Sequence, residues 1–380
     1  MRNLTKQFTF LLLSCVTIIF SSKALAAFSN PFVPVCTSKK QVQNTGTNAN
    51  SVCSNEVEST IIENMPAYKS QDEIGNCRAF SMGTVFQKFI CDSVLLDSGN
   101  KMNCLNPPIG YDVANFGMLA YTNRKPQEPE AFRPGFSGGR TMYDIITDFA
   151  ENGSSVILDS CKSFDKIVNN LVSKNVDGTM KKDKLFSYLK QLYDSKKNST
   201  EAGVTDCAEC LNEINKNSGL NVNFDKLKNA LGSDNYDKFL YSLFFSDCEM
   251  KPLLLDIKTK AYPPDRINAT AVDMKNKVVE VLKKGKPVIY QNICIVPKQC
   301  DEGGGGHTTV ISGHKKVCNG DNSVCKEMFK IHNSWGKAWQ DQNNDGWVDA
   351  DIILQNSIQD DVKDQPGKKR FISGNIVWLE

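Results

Sequence analysis

Gln71-Asp72-Glu73-Ile74-Gly75-Asn76-Cys77-Arg78-Ala79-Phe80-Ser81 sets a cysteine after a Gly-Asn turn and at the head of an amphipathic run. Ala79, Met82, Val85, Phe86, Phe89 and Ile90 recur close to helical spacing, which predicts one buried helix face. Cys77 then stands at a helix N-terminus, where unpaired N–H groups and the macrodipole favour negative charge. Such a position lowers a thiol pKa toward neutrality and makes a usable nucleophile. A lone cysteine is more often buried or disulfide-bonded, so the residues that surround it in the chain decide the reading.

Downstream, Ser137-Gly138-Gly139 precedes a helical stripe of Met142, Ile145, Ile146 and Phe149, closed by Asn152-Gly153. Gly285-Lys286-Pro287-Val288-Ile289-Tyr290 reads as a turn entering a strand. Three histidines occur, His307, His314 and His332. His307 follows a glycine run, Gly303 to Gly306, and opens an expected strand that ends at Gly313. About one hairpin later comes Ile331-His332-Asn333-Ser334-Trp335-Gly336. Strand alternation turns His332 away from the Asn333 face, and His314, beyond the strand, reads as surface.

Gln-x5-Cys-x-Ala-Phe-Ser, a histidine opening a strand, and Asn-Ser-Trp-Gly, in that order, resemble the active-site segments of the papain family of cysteine peptidases. The resemblance covers residues 60–155 and 255–380. It implies an α+β, papain-like two-lobe fold, with a helical lobe around Cys77, a β-barrel-like lobe carrying His307 and Asn333, and a cleft between. It further implies that Cys77 is the nucleophile, His307 its base, Asn333 the orienter of the His307 ring, and Gln71 an oxyanion donor. Trp335 would shield the His–Asn bond, and Gly75, Gly138 and Gly139 would line the cleft beside an extended peptide. Glycines suit that place because a missing Cβ lets a ligand reach the main chain. Three positions depart from the family pattern: Ile74 replaces a disulfide cysteine, Arg78 a tryptophan, and Gly306 an acid beside the histidine.

Small family members place the histidine and asparagine roughly 130–150 residues after the nucleophile. Here the separations are 230 and 256 residues. The surplus matches a Lys-, Asp- and Asn-rich stretch with helical stripes at Phe186, Leu189, Leu192 and at Phe239, Leu240, Leu243, Phe244. It is read as a helical insertion, 161–250, that governs access rather than chemistry. The expected organisation is a signal peptide at 1–26, an irregular N-terminal arm at 27–59, a helical lobe at 60–160, the insertion, and a β-rich lobe at 251–380. The arm is far shorter than the helical pro-segment of many relatives.

The leader assignment rests on Arg2 and Lys6, an apolar run from Phe8 to Phe20, and Ala24-Leu25-Ala26 before Ala27. A run of that length is short for a bilayer span, so no stable membrane anchor is expected after cleavage. The 380 residues carry a net charge of +2, which becomes about −1 without Arg2, Lys6 and Lys23. No nucleic-acid partner is implied. Nothing in the sequence sets an oligomeric state.

Fourteen cysteines less Cys15 leave an odd number in the exported chain, twelve that can pair and one nucleophile. The nested scheme is Cys36/Cys53, Cys91/Cys104, Cys161/Cys248, Cys207/Cys210, Cys294/Cys300 and Cys318/Cys325, with Cys77 free. Cys207-Ala-Glu-Cys210 also has the spacing of a redox or zinc motif, but it lacks a second pair and a nearby histidine. The leader and the cysteines point to a periplasmic or extracellular protein, and the resemblance implies protein or peptide substrates and no required cofactor. Two alternatives stand beside a thiol endopeptidase: a catalytically inactive papain-like binding module, and an amidase acting on cell-wall peptides. Asp341, Asn343, Asp345 and Asp349 have the spacing of a calcium loop with Gly346 at its turn. The closing carboxylate is missing, because Ile352 stands there. A lengthened acidic hairpin is the competing reading.

Overall fold

A computed structural model describes residues 32, 34–36, 51–71, 77–94, 99–115, 118, 142–151, 155–159, 161, 181–198, 207–234, 236–252, 256–264, 269–293, 295, 306–357, 359–361, 369–371 and 375–380. The strands are β1 (Val35–Cys36), β2 (Ser51–Val52), β3 (Asn55–Ile61), β4 (Ser155–Ile157), β5 (Met250–Pro252), β6 (Thr259–Tyr262), β7 (Val288–Ile293), β8 (His307–Cys318), β9 (Cys325–His332), β10 (Trp347–Asp349), β11 (Gln359–Asp361), β12 (Lys369–Phe371) and β13 (Ile376–Leu379). The helices are α1 (Cys77–Ser93), α2 (Met142–Glu151), α3 (Lys181–Asn198), α4 (Ala208–Ser218), α5 (Phe224–Leu231), α6 (Tyr236–Phe245), α7 (Ala271–Lys283), α8 (Gly336–Gln342) and α9 (Ala350–Gln355). Helices and antiparallel sheet in one chain make this an α+β protein.

The central sheet has seven strands in the order β10-β9-β8-β7-β13-β6, with β3 also on β8. All its pairings are antiparallel. β8 is long enough to serve two neighbours on one edge. Its first half pairs β7, with Val288 opposite Ile311, and its second half pairs β3, with Ile61 opposite Gly313. The end of the expected irregular arm is therefore a strand, because β8 runs on to Cys318 instead of stopping at Gly313 and offers an edge that must be paired.

Side-chain alternation divides the apolar interior across the sheet. Val288, Tyr290, Ile311, Ile376 and Trp378 join a core with Met274, Val278, Val281 and Leu282 of α7. Their neighbours Ile289, Val310, Val377 and Leu379 face a second core built from α1, α2 and the helices of 181–245. α1 is central to this second core. Of the expected face Ala79, Met82, Val85, Phe86 and Ile90 are buried and Phe89 is partly buried, and Phe80, Ser81, Thr84, Gln87 and Lys88 are buried as well. The polar members are satisfied: Gln87 Oε1 accepts from the Val113 N–H at 2.7 Å, and Lys88 pairs with Asp92.

Leu185, Leu189, Ile214, Leu227, Phe239, Leu243 and Phe244 belong to the same core as Phe80, Phe86 and Phe149. The expected insertion is thus continuous with the interior around α1, and the Cys161–Cys248 disulfide closes its base. Local chemistry sets its helix ends. The Asn223 side chain caps α5 by accepting from the Lys226 N–H at 2.8 Å, and Gly219 ends α4 in a left-handed conformation at φ 64°. In α7, Thr270 and Asp273 form a capping box.

The disulfides Cys91–Cys104, Cys161–Cys248, Cys207–Cys210 and Cys318–Cys325 agree with the expected pairing, and Cys77 is free. Cys53 is disulfide-bonded as well. Cys294 and Cys300 lie outside the described residues, as does the leader. Several disulfides suit an exported protein. Among the described residues no helix is long and apolar enough to cross a membrane.

Candidate active site

Cys77 is the first residue of α1, and the first turn of that helix grips one peptide of β8. The Thr308 N–H donates to the Cys77 thiol, while Ser81, one turn on, donates its hydroxyl to the Thr308 carbonyl at 3.0 Å. Helical periodicity puts Cys77 and Ser81 on one face, so both reach the same strand residue. Neighbouring Thr308 is His307, whose side chain hydrogen-bonds Cys77.

Antiparallel pairing of β8 with β9, with Val310 opposite His332, carries the chain just beyond β9 back to the start of β8. His307 Nε2 and Asn333 Oδ1 are 2.7 Å apart, and Asn333 Oδ1 also accepts the Ser334 N–H at 2.9 Å. An amide oxygen only accepts, so Nε2 carries the hydrogen and Nδ1 is the nitrogen left to face Cys77. Asn333 is buried, and the Trp335 ring lies over the His307 ring with centroids 4.6 Å apart. Trp339 meets Trp335 edge-on at 5.4 Å and holds it in place.

Gln71 reaches the same place along a short antiparallel ladder. Ser70 bridges Trp335, and the Gln71 N–H donates to the Ser334 carbonyl at 2.7 Å. The Ser334 hydroxyl donates to Gln71 Oε1 at 2.5 Å. That bond fixes which end of the buried Gln71 amide is the acceptor. Tyr68, just upstream, stacks on His332 with ring centroids 4.3 Å apart. Gly336 at φ 80° makes the close approach tolerable, because a Cβ there would meet Ser70 Cβ at 3.2 Å.

Burial pushes the Cys77 thiol up, but the hydrogen bond and charge of His307, the Thr308 N–H and the charge of Arg78 outweigh it and bring the thiol from 9.0 to about 7. Arg78 therefore adds to thiolate stabilisation. A thiol titrating near neutrality, a histidine on its proton and an amide orienting that histidine form a set competent for nucleophilic acyl transfer.

Of the residues read from sequence, Gln71, Cys77, His307, Asn333 and Trp335 come together. Gly75, Gly138 and Gly139 lie outside the described residues. The four acid and amide positions of the expected calcium loop are dispersed among other partners. Asp341 pairs with Lys337, Asn343 Nδ2 donates to the Trp339 carbonyl, Asp345 pairs with Lys330, and Asp349 caps α9 and pairs with Lys326. Among the described residues no three His, Cys, Asp or Glu side chains gather as a metal site. Gly346 is needed for the turn itself, at φ 75°, where a Cβ would strike Gln340 Nε2 at 2.1 Å.

One histidine differs from expectation and another agrees with it. His314 is buried and bonded to Glu327, because β8 extends past it and β3 covers that edge. His332 does face away from the Asn333 side, but into the stack with Tyr68. Sequence reasoning missed the roles of Thr308 and Ser334. Ser334 had a local trace, as the residue after Asn333; Thr308 acts through its backbone and had none.

No protein-family model matches the chain, and no curated protein matches it. Among solved structures it is similar to SERA5E from Plasmodium falciparum, at 12% identity over 84% of this chain and 92% of that one, with a TM-score of 0.37.

Proposed function

We propose that this chain is an exported papain-like cysteine peptidase that cleaves peptide bonds through Cys77, His307 and Asn333. The observation that carries the reading is the 2.7 Å contact from His307 Nε2 to Asn333 Oδ1, beside a Cys77 thiol whose pKa His307 lowers. The finer architecture belongs to the same proposal: α1 with the helices packed around it forms one lobe of a papain-like fold, and the sheet bearing His307 and Asn333 forms the other.

His307 Nδ1 takes the Cys77 proton, giving a thiolate–imidazolium pair whose second N–H remains on Asn333. The thiolate attacks the scissile carbonyl, and negative charge develops on its oxygen. The Cys77 backbone N–H at the head of α1 and the Gln71 amide supply donors for that oxyanion. The imidazolium protonates the departing amine, leaving a thioester on Cys77. Water, deprotonated by His307, then releases the acid and restores the thiol.

The test is hydrolysis of denatured casein by purified wild-type protein and by Cys77→Ala. Loss of cleavage in a folded Cys77→Ala protein supports the proposal. Undiminished cleavage refutes it, and activity on purified cell-wall peptides alone transfers the chemistry to a non-protein amide.

A further inference from the structure

Cys207-Ala-Glu-Cys210 is untouched by the proposed peptidase chemistry. Its disulfide differs in kind from the other three described. Cys91–Cys104 ties the end of α1 to a following loop, Cys161–Cys248 closes 87 residues, and Cys318–Cys325 joins β8 to β9 across the ladder. The separation of Cys207 and Cys210 is 3 residues. A loop that short removes the least conformational freedom from the unfolded chain, so this bond contributes least to stability. The helix it heads has independent support in the core, through Leu211 and Ile214.

Its placement suits exchange chemistry. Cys207 is the N-cap of α4, half-buried, and its sulfur accepts the Cys210 N–H at 3.0 Å. Cys210 lies one turn in and is 7% exposed. Cys207 is therefore the more accessible residue of the pair and Cys210 the more buried. In the reduced state the same N–H and the head of an 11-residue helix would hold the Cys207 thiolate. Glu209 in the first turn of α4 opposes that charge, which leaves the main-chain donor as the stabilising element.

We propose that Cys207–Cys210 is a redox-active disulfide that accepts two electrons from an external dithiol, with Cys207 as the attacked sulfur. A donor thiolate attacks Cys207 Sγ, the Cys207–Cys210 bond breaks, and Cys210 leaves as a thiolate that takes a proton. The second donor thiol, as thiolate, then attacks the donor's own sulfur in the mixed disulfide and releases Cys207. The donor ends as a disulfide, the protein as a dithiol, and two electrons with two protons have moved.

The experiment uses the full exported chain carrying Cys77→Ser, so that the Cys77 thiol does not contribute to the labelling. Samples equilibrated at rising ratios of reduced to oxidised dithiothreitol are acid-quenched, alkylated and peptide-mapped. The Cys207/Cys210 peptide is expected to open at a ratio at least tenfold lower than the peptides of Cys91–Cys104, Cys161–Cys248 and Cys318–Cys325, with the melting midpoint nearly unchanged at that point. Opening together with or after them, or with loss of the fold, overturns the proposal. Adding Cys210→Ala leaves Cys207 without its partner, and on exposure to oxidised glutathione a Cys207–glutathione mixed disulfide should accumulate in the intact mass. A Cys207 that forms no such adduct in the folded variant also overturns it.

Discussion

The Ser334 hydroxyl donates to Gln71 Oε1 at 2.5 Å across 263 residues of sequence, and the Gln71 N–H returns a bond to the Ser334 carbonyl at 2.7 Å. The asparagine segment thereby builds two parts of the site at once. In the proposed mechanism Asn333 orients the base, and Ser334 sets the amide that faces the developing charge. Ser334→Ala should therefore lower kcat about tenfold on a short peptide with little change in KM. Gln71→Ala, which removes the donor, should cost about 100-fold. Steady-state kinetics on a fluorogenic peptide checks both, and a Ser334→Ala enzyme altered only in KM would contradict the role given to Ser334.

The pH dependence follows from the thiol. With Cys77 brought to about 7, alkylation by iodoacetamide should rise through neutral pH as the thiolate forms. His307→Ala removes the bond and charge that oppose burial, so the midpoint should move up toward the ordinary thiol range near 9. Rates of alkylation measured from pH 5 to 10 read the shift directly. An unmoved midpoint in His307→Ala would show that His307 does not act on the thiol.

His332 gives a stability prediction of opposite sense. Burial, aided by the Lys330 charge, pulls it down from 6.5 to about 3. Between those values the unfolded chain binds a proton that the folded chain refuses, so stability falls as the pH falls, by up to about 1.4 kcal/mol per pH unit. His332→Phe keeps a ring on Tyr68 and removes the titration. Urea melts at pH 7 and pH 4 should show a smaller acid loss in His332→Phe than in the wild type.

The order glutamine, cysteine, histidine, asparagine was legible because each group sits in a short local pattern: a helix start, a strand start, Asn-Ser-Trp-Gly. The supports were not legible, since they join residues distant in sequence. Thr308 acts through its main chain, and the Tyr68–His332 stack depends on a ladder between two remote segments. Local spacing at Asp341 to Asp349 also did not show which side chains those groups meet. The acids look repulsive in sequence, but Lys330 and Lys326 of β9 and Lys337 of α8 lie against them. The helices of 181–245 were visible as helices, but their share in the core around α1 was not, because apolar stripes do not name their partners.

Those lysines predict how the acidic loop responds to metal. With each carboxylate paired or capping a helix, millimolar calcium and excess chelator should give the same melting midpoint. Stabilisation by calcium of several degrees would require the Lys330–Asp345 and Lys326–Asp349 pairs to open around an ion.

The nucleophile is the claim on which the rest depends. Incubation of the oxidised protein with a thiol-directed epoxide inhibitor, followed by intact mass and peptide mapping, tests it most directly. The account predicts one inhibitor per chain, attached to Cys77, with casein hydrolysis lost in proportion to labelling and no label on His307→Ala at the same rate. Complete labelling of Cys77 with casein hydrolysis unchanged, or no labelling of the folded protein, would contradict it.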